Sequence, residues 1–600
     1  MCGIAGEFRF DGGIPERATI ARMADLLARR GPDAAGFWSG GAVAFGHRRL
    51  AIIDLSERSA QPMTDADSGL TLVFNGTIYN YPELRAELLA KGHRFHSDGD
   101  TEVLLRAYAE WGEDCVPRLH GMFAFAIHDA RRQTVFLARD RLGIKPLYYS
   151  LTGKRLRFAS SVQALLAAGD VDTRFDPVAL HHHFTLHAVV PAPRTVLSGI
   201  RKLAPASGLR VDARGGAVET PYWLLAARRP ASPLSEGEWT EAIHASLKRA
   251  VRKRLAIADV KVGVLLSGGL DSSLLVALLA EQGVSDLMTF SVGFEDQPEE
   301  SGHEFEYSDA VAAHYGTRHH QFRIANSEVL KRLPEAVDNM AEPMVGQDAV
   351  AFYLLSEQVS RTVKVVQSGQ GADEVFGGYY WYERMRDDAA GSPLERFRRH
   401  YFDRDHDEML NMLAPAWHGP DHTAALIEAR LNETGADDFL DQVLRMDTTM
   451  LITDDPVKRV DNMTMAWGLE ARVPFLDHEL VELAAGMPPE LKLASGGKHV
   501  LKQIARGLLP DAVIDRKKGY FPMPALKYVR GDFLEFMRDI LDSRACRERG
   551  LYQRAYVERL LAEPERHHTR IQGSKLWHLA LLEYWLQRNV DSRGAPRPTH

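Results

Sequence analysis

The alternation of apolar and polar positions separates the chain into two differently patterned parts. Early on, short apolar runs such as Ala51-Ile52-Ile53 and Leu72-Val73-Phe74 predict strands, and Val103 to Trp111 predicts a helix. From Trp239 onward the pattern becomes helix, strand, helix, strand. Ala242 to Leu255 is amphipathic, and Val260 to Leu266 is a β-branched apolar run. Leu274 to Glu281 is helical, Leu287 to Val292 a strand, and Glu304 to Tyr315 a helix. His319 to Ile324 is a third strand, Ala349 to Arg361 a helix, and Val363 to Gln367 a fourth strand. Strands alternating with helices predict a parallel, doubly wound sheet, whose ligands bind beyond the carboxyl ends of its strands. Arg, Pro, Ser and Gly crowd between Ala226 and Gly237, which predicts a linker. The expected boundaries are a domain over 1–225, a linker over 226–237, a domain over 238–588 and a disordered tail over 589–600.

Composition narrows the class. With 45% hydrophobic and 26% charged residues the chain reads as globular, and its net charge of −8 argues against a nucleic-acid surface. No apolar run reaches the ~18 residues that span a bilayer. Cys2, Cys115 and Cys546 are too few for a disulfide framework and lack metal-ligand spacing. The expectation is a cytosolic protein with no nucleic-acid or membrane partner; a homodimer stays open. His181-His182-His183 is not expected to chelate, because adjacent side chains on a helix diverge.

Two loops carry the chemistry of the second domain. Leu266-Ser267-Gly268-Gly269-Leu270-Asp271-Ser272-Ser273 follows the Val260–Leu266 run and opens a helix, an arrangement that directs backbone N–H groups at an anion. Asp271 within an anion cradle predicts a bridging Mg²⁺. Ser368-Gly369-Gln370-Gly371-Ala372-Asp373 follows the Val363–Gln367 run and brings a second acid. Both loops fall on one sheet edge, so Asp271 and Asp373 are expected to share the ion on ATP phosphates.

Cys2 carries the chemistry of the first domain. With Met1 removed it offers a thiol nucleophile and a free α-amine as its base. Asn75 with the adjacent Gly76 N–H can form an oxyanion hole, and Arg49 in His47-Arg48-Arg49-Leu50 can fork onto a carboxylate. Asp100 either holds an α-amine or caps the following helix.

Residues 1–165 resemble the glutaminase domain of class II glutamine amidotransferases, through Cys2-Gly3-Ile4, Arg30-Gly31-Pro32-Asp33, Asn75-Gly76 and Ala138-Arg139-Asp140-Arg141-Leu142-Gly143. The resemblance implies an αββα N-terminal-nucleophile fold and a Cys2 thioester. Glutamine would lie among Arg49, Leu50, Ala51, Ile52, Ile53, Asn75, Gly76, Thr77 and Asp100. Thr77 stands where that family usually has Glu. The later loops, with Glu470-Ala471-Arg472-Val473-Pro474-Phe475-Leu476-Asp477 and Arg516-Lys517-Lys518-Gly519, resemble the PP-loop ATP pyrophosphatase domain in its asparagine synthetase form. That likeness implies ATP contacts at Leu266, Val292, Ser368 and Gly369 and a pyrophosphate cradle over Ser267–Ser273. It also implies a charge-stabilising Lys518 and activation of an acceptor carboxylate as an acyl-AMP that ammonia then attacks.

The acceptor is less determined. Gln370 stands where asparagine synthetases carry Glu, and it resembles, with Leu186 to Arg194, the N-acetylglutaminylglutamine amidotransferases, which make an osmoprotectant. The alternatives are an aspartate acceptor, a cyclase like β-lactam synthetase without glutaminase activity, and a non-catalytic nucleotide-binding protein. Retained Cys2, Arg49, Asn75, Gly76 and Asp100 argue against the cyclase, and retained Asp271, Asp373 and Lys518 against the last.

Overall fold

A computed structural model describes residues 2–296, 301–346, 348–516, 526 and 528–593. The strands of the first part are β1 (Cys2–Arg9), β2 (Ala34–Gly40), β3 (Val43–Arg49), β4 (Met63–Asp65), β5 (Leu70–Ile78), β6 (Gly121–Asp129), β7 (Thr134–Arg139), β8 (Tyr148–Leu151), β9 (Arg155–Ala159), β10 (Arg201–Lys202), β11 (Ser207–Asp212) and β12 (Ala217–Pro221). They form two six-stranded antiparallel sheets, in the orders β10-β8-β9-β1-β3-β2 and β12-β11-β7-β6-β5-β4. Ile4, Phe45, Val73, Ala124 and Leu137 fill the space between the sheets. The helix Asp100–Trp111 covers the outer face of the second sheet through Leu104 and Tyr108 against Phe125 and Phe136. The helix Arg17–Asp25 covers the first through Ile20 and Met23. The layers are the αββα sandwich expected from the resemblance. The helix begins three residues earlier than the Val103 expected from periodicity, because Asp100, Thr101 and Glu102 are themselves buried.

The second part builds on β13 (Val262–Leu265), β14 (Met288–Phe294), β15 (Arg318–Ile324), β16 (Val365–Gln367) and β17 (Glu470–Arg472). They form one parallel sheet in the order β15-β14-β13-β16-β17. The strand order reverses at β13, and a crevice opens between the carboxyl ends of β13 and β16. The helix Leu270–Glu281 is apolar all round because it is enclosed, with Leu274, Leu275, Val276 and Leu278 wholly buried. Periodicity did not predict β17. Its three residues include Glu470 and Arg472, which are fully buried as an ion pair at 2.5 Å. Its register against β16 is set by tertiary contact. No helix among the described residues is long and apolar enough to cross a membrane.

Two boundaries shift. The helix Glu236–Ala256 takes Glu236 and Gly237 from the expected linker, because Ser235 and Glu238 close a capping box. The linker is also pinned: Ala227 bridges to Ala436, and the Arg229 N–H donates to Asp437 at 2.7 Å. The tail expected from 589 overlaps described structure as far as Arg593, and residues 594–600 lie outside the described residues. The last helix runs Lys575–Asn589, and buried Asn589 donates to the Val337 carbonyl at 3.1 Å.

Buried charges join the two parts. Asp461, from the helix Lys458–Met465, accepts from Arg30 and from Lys145, each at 3.0 Å. Burial alone would raise the Asp461 carboxyl, and the two cations outweigh it and hold it below the usual range. Nearby, Lys202 Nζ lies 2.7 Å from Asp454 and 3.0 Å from Glu342, and the Tyr148 hydroxyl donates to Glu342 at 3.1 Å. Removing one partner of a buried pair strands the other's charge in low dielectric. Asp461→Ala is therefore expected to cost about 3–5 kcal/mol, read as a fall in the denaturant midpoint. A loss below about 1 kcal/mol contradicts the assignment.

Candidate active sites

In the first domain the register of β1 against β3 sets Cys2 opposite Arg49. The Cys2 N–H donates to Asn75 Oδ1 at 3.0 Å, which fixes the Asn75 amide so that Nδ2 points the other way. That Nδ2 is buried and has no hydrogen-bond partner among the described residues, so a donor stands ready beside the thiol. Gly76 follows on β5, where an added Cβ would lie 2.7 Å from Phe123 Cα, so only glycine fits. Burial pushes the thiol pKa up, while a hydrogen bond from the Leu50 N–H and the charge of Arg49 favour the thiolate. Met1 lies outside the described residues.

A pocket beside Cys2 is lined by Arg49, Leu50, Ile52, Ile53, Gly76, Thr77 and Asp100. Arg49 is braced by the carbonyls of Ser56, at 2.8 Å, and Asp54, contacts that orient the guanidinium without neutralising it. Asp100 accepts from the Ile78 N–H at 3.0 Å, and Gly99, not Asp100, is the helix cap; of the two readings of Asp100, capping is therefore set aside. One cation and one anion in a small pocket match the two ends of a free amino acid. Ala51 does not line the pocket; its N–H donates to Asp33 at 2.7 Å.

In the second domain a cleft of about 510 Å³ opens at the ends of β13 and β16. Leu266, Ser267, Gly269, Asp271, Ser272, Val292, Ser368, Gly369, Gln370 and Asp373 line it. The two loops touch: an added Cβ on Gly369 would lie 3.0 Å from Asp271 Cβ. Two expected lining residues have other roles. Gly268, at φ +77°, turns the loop where a Cβ would lie 2.6 Å from the Ser308 nitrogen, and Ser273 is fully buried beneath. Asp271 Oδ2 and Asp373 Oδ1 converge on Lys498 Nζ, at 2.6 and 2.7 Å. Burial disfavours the Lys498 charge, and the two aspartates outweigh it and raise its pKa. Two hard oxygen donors suit Mg²⁺ by donor chemistry, and because Lys498 Nζ fills the position between them, a shared ion would take that position only with the lysine displaced.

Residues 242–587 match the asparagine synthase family, and residues 1–223 the glutamine amidotransferase domain. The chain belongs to the asparagine synthase family. It is 32% identical to asparagine synthetase (glutamine-hydrolyzing) 3 of Bacillus subtilis, over 99% of this chain and 100% of that protein. It is 31% identical to asparagine synthetase (glutamine-hydrolyzing) 1 of the same organism, over 99% and 98%. With asparagine synthetase (glutamine-hydrolyzing) 2 of Arabidopsis thaliana the identity is 30%, over 87% of this chain and 76% of that one. A solved Bacillus subtilis glutamine phosphoribosylpyrophosphate amidotransferase covers 54% of this chain and 90% of its own, at 16% identity and a TM-score of 0.31, too low to carry weight. The enzyme class of the asparagine synthase family follows: an ATP-dependent carbon–nitrogen ligase with glutamine as amido donor, forming AMP and pyrophosphate.

Lys518 lies outside the described residues. Sequence reasoning did not assign Lys498 a role, nor Asp348, Tyr379 and Arg459, which also line this cleft. Gly496-Gly497 ahead of Lys498 was the available signal: Gly497, at φ +84°, packs against the Gly377 carbonyl and brings Lys498 in. Thr77, where the family usually has Glu, faces the other domain, 3.4 Å from Glu470 Oε1. A Glu at 77 would set a second carboxylate against Glu470, whereas Thr offers a donor.

Burial raises the Asp100 carboxyl from 3.8 to about 6, against the Ile78 bond that lowers it. The folded state thus binds more protons than the unfolded one between those values, and ionised Asp100 weakens the fold above them. Asp100→Asn is expected to stabilise the protein at pH 7.5 by about 2–3 kcal/mol, a gain that shrinks as the pH falls through about 6. It is also expected to raise the KM for glutamine. Thermal unfolding across pH with glutaminase kinetics checks both, and a pH-independent difference in stability refutes the assignment.

Proposed function

We propose that this enzyme couples glutamine hydrolysis at Cys2 to amidation of an acceptor carboxylate at the Asp271–Asp373 cleft, and that the acceptor is N-acetylglutaminylglutamine. The observation that carries the first half is Cys2 beside Asn75 with its unpartnered, buried Nδ2. Arg49 takes the glutamine α-carboxylate and Asp100 its α-ammonium, with Leu50, Ile52 and Ile53 along the stem. The Cys2 thiolate, deprotonated by its own α-amine once Met1 is removed, attacks the γ-carboxamide. Asn75 Nδ2 and the Gly76 N–H hold the oxyanion. The C–N bond breaks, ammonia leaves, and water cleaves the γ-glutamyl thioester to glutamate.

In the second cleft the base of ATP lies near Leu266 and Val292, and Ser267 to Ser272 with Ser368 and Gly369 cradle the phosphates. Asp271 and Asp373 would hold Mg²⁺, which neutralises phosphate charge when bound. Lys498, within reach of these carboxylates, puts positive charge beside the departing pyrophosphate, and Lys518, which lies outside the described residues, is proposed as a second cation for it. The acceptor carboxylate attacks the α-phosphorus and displaces pyrophosphate. Ammonia then attacks the acyl-AMP and displaces AMP, giving the amide.

The acceptor reading rests on Gln370 and on the segment Leu186 to Arg194. Gln370 puts a neutral amide on the cleft wall where a Glu would repel a bound carboxylate. Leu186 and Val189 pack against Trp381 and Tyr382, just beyond the loop that carries Gln370. The three cysteines are free, in keeping with a reducing cytosol.

Cys2→Ala is expected to abolish glutamine-dependent product while amidation with free ammonia continues; loss of both activities refutes two separable sites. Pyrophosphate release is expected with N-acetylglutaminylglutamine and to be at least about tenfold slower with aspartate at equal concentration, a preference of about 1.4 kcal/mol. A preference for aspartate assigns the alternative acceptor.

A further inference from the structure

A second cleft of about 510 Å³ opens between the two domains, apart from both sites above. Arg139 and Arg141 line it from the first domain, and Arg445, Thr449 and Thr453 from the second. All three arginines are at least nine-tenths buried, at 4%, 8% and 7% exposure. Their hydrogen bonds go to neutral carbonyls. Arg139 donates to Lys145, Leu203 and Gly143, each at 2.8 Å. Arg141 donates to Leu119 and Pro117, both at 2.6 Å. Arg445 donates to Thr434 at 2.7 Å and to Glu433 at 2.9 Å, through main-chain oxygens.

Carbonyl bonds fix a guanidinium and leave its charge in place. None of the three arginines forms an ion pair among the described residues. The two acids that line the cleft are already matched: Asp454 pairs with Lys202 at 2.7 Å and Glu433 with Arg430 at 2.6 Å. The cleft therefore carries three buried guanidinium groups that close no ion pair among the described residues; Asp140 and Asp454 act on Arg139, and Glu433 and Asp441 on Arg445, only from beyond pairing distance, an arrangement that an anionic ligand relieves. Pro191, Trp223 and Leu225 add apolar wall. The volume lies in the usual range for small-molecule sites, and a domain interface is a usual place for one.

One wall is shared with the ATP cleft. Asp447–Leu451 and Thr453–Val457 are π-helical turns, a conformation common at functional sites. Thr449, Met450, Thr453 and Asp454 face the interdomain cleft. On the same stretch Asp447 accepts from Tyr382, and Asp455 pairs with Arg459, which lines the ATP cleft.

We propose that the interdomain cleft binds a small organic anion, a carboxylate or a phosphoester on a partly apolar body, and that its occupancy is relayed through Asp447–Val457 to the ATP cleft. The binding half is independent of the function proposed above. The relay half rests on the other cleft taking ATP, which a separate ATP titration of the free enzyme checks.

The test uses the full chain with saturating ATP and titrates 8-anilinonaphthalene-1-sulfonate, an aromatic anion, by fluorescence. One site that ATP does not displace is expected. Arg445→Met is expected to weaken binding about tenfold, Arg445→Lys to restore it, and Thr449→Trp to fill the cleft and block it. Displacement by N-acetylglutamate marks a carboxylate site, and displacement by glycerol 3-phosphate a phosphoester site. The calorimetric Kd for ATP is expected to shift at least about twofold with the probe bound. The proposal is overturned if ATP displaces the probe, if Arg445→Met binds as the unaltered chain does, if neither anion competes, or if the ATP Kd stays fixed.

Discussion

Asp461 lies between Arg30 and Lys145, at 3.0 Å from each, with almost no exposure to solvent. One carboxylate matched to two cations of the other domain satisfies each only while the domains keep their relative position. Lys202, Glu342, Asp454 and Tyr148 repeat the arrangement nearby. A glutamine-dependent ligase depends on this rigidity. Ammonia made at one site has to reach the other as the neutral molecule, and a joint that opened to water would protonate it and let it escape. Thr77 belongs to the same joint, since its hydroxyl meets Glu470 from the other sheet.

The cleft at the sheet edge rests on a second shared ion. Asp271 and Asp373 come from loops after two strands of one sheet, and each would repel the other without a cation between them. Lys498 holds that place. It reaches it because Gly378 leaves room for its stem and Gly497 for the close approach of the backbone to Gly377, and Lys498 itself adopts φ +56°. The carboxylates are thus pre-positioned for a cation, and the local cost of bringing two acids together is met within the fold.

The three clefts differ in charge in ways that fit different ligands. Beside Cys2, one Arg and one Asp face a pocket suited to a free amino acid. At the sheet edge, paired acids and lysine suit a polyphosphate with its metal. Between the domains, arginines held by carbonyls suit an organic anion. In each case the backbone supplies the orientation and the side chains supply the charge.

Features that depend on neighbours in sequence were legible from sequence alone. Cys2-Gly3, Asn75-Gly76 and the loops at Ser267–Ser273 and Ser368–Asp373 each gather their groups within a few residues. The alternation of strand and helix then places the two loops on one edge. Linear pattern did not reveal β17, whose burial is set by the Glu470–Arg472 pair and not by apolar residues. Nor did it reveal that Lys498 meets Asp271, more than two hundred residues away, or that Asp461 meets Arg30. The interdomain cleft was hidden for the same reason, since Arg445 lies far along the chain from Arg139 and Arg141. Local chemistry and periodicity are encoded in adjacent residues, so the sequence determined which residues make up each candidate centre and the class of each domain. Which buried charges meet is a property of chain segments brought together, so only the tertiary structure decided how the centres are joined, what occupies the cation position, and where a third ligand would fit.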